Sequence, residues 1–113
     1  FLQYGHAFAD LEWLQAPVVR ENVRSGMHAY VARVPDRDGL IAHLADHEID
    51  AGVHYKPCHL FNVYEPYRRE LPVTDSVWPQ LVTLPLFPSM TEDNVQQVIG
   101  AVTGFQPNGS AAF

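Results

Sequence analysis

The sequence predicts an α+β fold, a small and mostly antiparallel sheet packed with helices. Three observations lead there. Extended segments bounded by proline or glycine alternate with segments of helical periodicity. Asp36 and Thr91 stand where each longer helical segment needs an N-cap. A length of 113 residues, 47% of them hydrophobic, suits one domain with one core.

The elements follow in chain order. Phe1, Leu2, Tyr4, Ala7, Phe8, Leu11 and Leu14 have helical spacing, and no capping residue precedes Phe1, so this helix reads as truncated. Residues 16–19 are extended, with Pro17 at a strand start or an edge. Arg24, Ser25 and Gly26 form a turn. Residues 27–34 read as a strand, with Met27, Ala29 and Val31 on one face and His28, Tyr30 and Ala32 on the other; Pro35 closes it. Asp36 caps a helix over residues 37–47 that buries Leu40, Ile41 and Leu44.

Residues 49–55 read as a second strand, where Gly52 admits a bulge or a close neighbour. Residues 56–73 form a long connection rich in aromatic, proline and charged residues, a composition typical of binding loops. A short helix from Thr74 or Asp75 to Val82 follows, with Pro79 awkwardly placed in it. Residues 83–88 are extended, and Pro85 and Pro88 make them an edge. Thr91 caps the last helix, where Val95, Val98, Ile99 and Val102 recur at i, i+3, i+4 and i+7, and Met90 and Val95 can form a staple. Gly104 ends this helix, leaving residues 105–113 as a flexible tail.

Composition narrows the class of partner. Seven Lys plus Arg against 13 Asp plus Glu give a net charge of −6, so no cationic face for nucleic acid is expected. A single cysteine, Cys58, excludes an internal disulfide and a cysteine-rich zinc site. The first residues lack a signal-peptide pattern, and no apolar run is long enough to span a bilayer, so no membrane partner is expected and a cytoplasmic location is.

Polar chemistry concentrates in residues 53–59, where His54, Tyr55, Lys56, Cys58 and His59 lie at a strand end, followed by Tyr64, Tyr67, Arg68 and Arg69. This loop suits a polar, anionic small molecule held by Lys56, Arg68 and Arg69. Other readings stand beside it. His54 and Tyr55 also fit half-buried edge residues, with Lys56 a solvated cation. His54, Cys58 and His59, with His28 nearby, carry metal donor atoms, although Pro57 stiffens the segment and the fourth ligand is open. Cys58 beside His59 has the residue types of a nucleophile and its base, but sequence neighbours tend to point apart. His43 and His47 have i, i+4 spacing without the glutamate of a zinc-protease motif, and read as solvated helix residues.

Several segments in order resemble one family. They are Met27-His28-Ala29-Tyr30-Val31-Ala32-Arg33-Val34, then Arg37-Asp38-Gly39-Leu40, then Gly52-Val53-His54-Tyr55-Lys56-Pro57-Cys58-His59. Leu71-Pro72-Val73-Thr74 and Leu84-Pro85-Leu86-Phe87-Pro88-Ser89-Met90-Thr91-Glu92 complete the set. Together they resemble the C-terminal small domain of the DegT/DnrJ/StrS-type sugar aminotransferases, fold type I enzymes dependent on pyridoxal phosphate (PLP).

The resemblance implies an aminotransferase-like domain over residues 1–104 that packs against a larger PLP-binding domain of the same polypeptide. It also implies a homodimer that moves an amino group from an amino-acid donor to a nucleotide-linked keto sugar. The reactive lysine belongs to the large domain, so no residue here is expected to be catalytic and the chain alone is expected to be inactive. By position, His54 and His59 face the sugar or cofactor, Tyr55 and His28 support them, and Lys56, Arg68 or Arg69 meets the diphosphate. Whole enzymes of this kind either transfer the amino group or use the same cofactor for dehydration. A stand-alone ligand-binding or dimerisation module of the same shape is the other expectation. An apolar docking patch is expected on residues 1–14 and around Phe87.

Overall fold

The structure is a computed structural model that describes residues 1–108. Its elements are α1 (Leu2–Ala7), β1 (Tyr30–Arg33), α2 (Arg37–Asp46), α3 (Pro72–Val77), β2 (Leu81–Leu84) and α4 (Glu92–Gly104). Short 3-10 turns occupy Cys58–Leu60, Asn62–Tyr67 and Trp78–Gln80. The α+β architecture is the one the sequence predicts.

β1 and β2 pair antiparallel, with Tyr30 opposite Leu84, Val31 opposite Thr83, Ala32 opposite Val82 and Arg33 opposite Leu81. Single antiparallel bridges widen this ribbon on both sides, Gln15 with Arg33 and Gly52 with Thr83. The expected second strand over residues 49–55 is therefore reduced to one bridge at Gly52. The first strand is shorter than expected, and β2 starts at Leu81 because Trp78–Gln80 completes the preceding helix as a 3-10 turn that tolerates Pro79 at its start.

Alternation sends Tyr30, Ala32, Val82 and Leu84 to one face, where α1, α2 and α4 cover them. Leu40 and Leu44 of α2 are fully buried there, as are Val98 and Val102 of α4 nearby. Each such side chain contributes about 1.5–3 kcal/mol of burial. The apolar residues Phe1, Tyr4, Phe8, Leu11 and Leu14 pack into or against this core while Leu2 stays exposed, which corrects the expected docking patch. Tyr4 and Phe8 are buried and gather with Phe1 around Tyr30 at ring separations of 5.1–6.1 Å. Phe87 is half exposed.

Both expected caps form. The Asp36 carboxylate accepts from Gly39 N at 3.1 Å, and also from Asn108 N at 3.0 Å. A Cβ on Gly39 would lie 2.5 Å from that carboxylate, so a larger residue there would displace the Asp36 cap. Thr91 and Asn94 form a reciprocal capping box at 3.2 and 3.0 Å. His43 is not a solvated residue: its Nε2 donates to Ala101 O at 2.9 Å, tying α2 to α4. Of the expected tail, Phe105 is buried against Trp13 and His43, and residues 109–113 lie outside the described residues.

Candidate functional site

The face of the sheet turned away from the helices carries an open cleft of about 610 Å³. The same alternation that buries Val82 and Leu84 turns Val31 and Thr83 toward it. Its polar lining comes from His28, Asp50, His54, Tyr55 and Thr83, and its apolar floor includes Val31 and Leu86. Three sequence-predicted residues therefore meet here: His28, His54 and Tyr55.

His54 is the best-defined side chain of the cleft. Its Nδ1 lies 2.9 Å from Thr83 Oγ1, and its ring stands edge-on to Tyr55 at 5.0 Å. The ring also packs over Gly52, where a Cβ would sit 3.0 Å from His54 Cε1. Gly52 thus provides the close approach that the sequence allowed for. Tyr55 itself is largely exposed.

Lys56, His59, Arg68 and Arg69 stand outside the cleft lining. The ammonium of Lys56 lies 5.1 Å from the centre of the Phe61 ring, a cation–π distance. His59 Nε2 donates to Asp75 Oδ1 at 2.7 Å, and its side chain is nearly enclosed. Arg68 Nε donates to His59 O at 3.0 Å, and Arg69 Nη1 to Arg68 O at 3.2 Å. These four residues belong to the arm that leaves the sheet after Tyr55. His59 and Arg68 are knitted within that arm by polar contacts.

Sequence reasoning missed Thr83, Asp50 and Asp75. Thr83 carried a faint signal, as the polar residue between two buried positions of a strand. Asp75 passed for a helix start, whereas its carboxylate is spent on His59.

The residues present do not fit PLP by themselves. That cofactor needs a lysine amine, a carboxylate at its ring nitrogen and donors for its phosphate. The cleft has a carboxylate in Asp50 but no lysine, because Lys56 lies elsewhere against Phe61. Among the described residues, no three His, Cys, Asp or Glu side chains gather to hold a metal, and Cys58 is exposed. No helix among them is long and apolar enough to cross a membrane.

Known proteins resemble this chain over most of its length. The DegT/DnrJ/EryC1/StrS aminotransferase family model matches residues 1–103. The dTDP-3-amino-3,6-dideoxy-alpha-D-galactopyranose transaminase of Aneurinibacillus thermoaerophilus is 27% identical over 95 residues, covering 82% of this chain and 26% of that protein. The structure of S. venezuelae DesV in complex with a ketimine intermediate superposes with a TM-score of 0.85 at 30% identity, over 89% of this chain and 28% of DesV. A Streptococcus pneumoniae protein solved in PMP and PLP forms gives a TM-score of 0.79 at 27% identity for the PMP form, over 88% of this chain and 27% of that one. The chain spans about a quarter of the length of these relatives.

Proposed function

The chain belongs to the DegT/DnrJ/EryC1/StrS aminotransferase family, and on that premise we propose that it is the C-terminal small domain of a PLP-dependent aminotransferase for a nucleotide-linked keto sugar. Its own part is substrate recognition. The observation that carries this reading is the cleft, where His28, His54, Tyr55 and Thr83 converge on the sheet face that the helices leave free. Hydroxyl and carbonyl groups of a sugar match such a set of imidazole, phenol and hydroxyl partners. The exposed Tyr55 ring offers an apolar face to the sugar.

PLP, when bound, supplies the electron sink for amino transfer. Its lysine and phosphate donors come from a large domain of the same polypeptide, in a homodimer, with an amino acid such as glutamate as donor. Lys56, Arg68 and Arg69 are the cations of this chain that meet the nucleotide diphosphate, and His59 holds the arm that carries them.

The test uses the whole polypeptide that contains this chain. Loaded with PLP and given L-glutamate and a panel of dTDP-linked keto sugars, it is expected to yield an amino sugar detectable by mass spectrometry. His54→Phe is expected to raise KM for the sugar about tenfold, the loss of one hydrogen bond. Sugar binding without amino transfer from any donor would instead make the chain a stand-alone recognition module.

A further inference from the structure

Thr83 occupies a position that two strands define. In β2 it pairs with Val31, and on its other edge it exchanges both backbone hydrogen bonds with Gly52, at 3.1 and 2.7 Å. Its side chain consequently emerges into the cleft beside His54, which lies two residues along the chain from the bridge at Gly52. The hydroxyl then meets His54 Nδ1 at 2.9 Å, while the absence of a Cβ on Gly52 lets the Cε1 edge of the imidazole approach the backbone. Hydrogen bond, glycine surface and the Tyr55 ring edge confine the imidazole.

We propose that Thr83 is a positioning residue that, with Gly52, fixes the orientation of His54 and leaves Nε2 to a hydroxyl or carbonyl group of the ligand. The physical basis is the chemistry of the pair. The Thr83 hydroxyl donates to a bare Nδ1 or accepts from a protonated one, so the contact holds the ring in either tautomer and Nε2 stays open to the ligand. A ring fixed before the ligand arrives also loses less freedom on binding. The importance of this lock for the sugar rests on the reading of the cleft as the substrate site, whereas the lock itself does not.

Thr83→Val keeps the shape and removes the hydroxyl, Thr83→Ser keeps the hydroxyl, and Gly52→Ala pushes the ring away. The whole polypeptide, labelled with nitrogen-15 at histidine, is examined by NMR at a pH where imidazole is neutral, with His54→Gln assigning the signal. The expected result is a His54 Nδ1 signal displaced by its hydrogen bond in the parent protein, a return toward the values of free imidazole in Thr83→Val and Gly52→Ala, and recovery in Thr83→Ser. An unchanged His54 signal in Thr83→Val, or a Thr83→Ser protein that behaves like Thr83→Val, would overturn the proposal. With a dTDP-linked keto sugar as probe, Thr83→Val is expected to raise KM several-fold more than it lowers kcat. A lost hydrogen-bond signature at Nδ1 with KM unmoved would uphold the lock and remove His54 from the substrate site.

Discussion

The helical layer and the arm between residues 56 and 77 hold their shapes by different means. In the layer, Tyr4, Phe8, Leu40, Leu44 and Val102 are all but inaccessible to water, and packing on the sheet defines them. In the arm, residues 61–76 are all exposed, including the large side chains of Val63, Tyr67 and Val73. What orders the arm is polar: His59 to Asp75, Arg68 to the carbonyl of His59, and Ser76 to the carbonyl of Val73. Packed side chains have one arrangement, and a substitution there is felt throughout the core. A polar clasp on an exposed loop opens locally without unfolding what lies beneath. The chain thus separates a packed support from a segment held by polar contacts, and the cleft lies on the sheet, lined by residues outside that segment.

Core and arm substitutions are expected to differ most. Leu44→Ala removes a fully buried side chain and is expected to cost about 2–5 kcal/mol in urea denaturation. Val63→Ala, at an exposed arm position, is expected to stay within about 0.5 kcal/mol. A comparable loss at Val63 would mean that the arm packs as core. Asp75→Ala has a smaller and more local signature. Hydrogen exchange is expected to accelerate over residues 58–77 while the amides of α2 and α4 keep their protection. Loss of protection in those helices would join the arm to the cooperative unit.

The layer was largely legible in the sequence, and the arm was not. Asp36 and Thr91 announce α2 and α4 because a cap acts within three residues of itself. The spacing of Leu40 and Leu44, and of Val98 and Val102, is likewise local. The cleft and the arm depend on partners far apart in sequence, Thr83 with His54 across 29 positions in the first and His59 with Asp75 across 16 in the second. No periodicity records such pairs. The density of polar side chains directed attention to residues 53–59, yet only the fold divides them, with His54 and Tyr55 in the cleft and Lys56 and His59 beyond its lining. The apolar face of residues 1–14 was visible, but its destination was misread, since an amphipathic stripe is the same whether it covers its own sheet or another chain.

The smallest expected effect concerns the edge of the layer, where its order too becomes polar. Glu92, in the first turn of α4, accepts hydrogen bonds from Gln3 Nε2 at 3.0 Å and Gln96 Nε2 at 2.9 Å. The bond from Gln3, then that from Gln96, stabilises the carboxylate and holds its pKa below the ordinary glutamate value. A carboxyl group depressed in this way adds stability that is complete above its unfolded pKa and is lost as pH falls through the folded one. The affected window is therefore acidic, and neutral pH lies outside it. Gln3→Ala removes the first of these donors and the link from α1 to α4. The Glu92 titration, followed by carbon-13 NMR, is expected to move up toward the ordinary value. The side chain is exposed, so the accompanying change in acid stability is expected to be slight beside that of Leu44→Ala. If Gln3→Ala left the titration in place, Gln96 alone would hold the carboxylate, and α1 would be joined to α4 through its buried Tyr4, with Phe8 just beyond it, and without a polar contact at the rim.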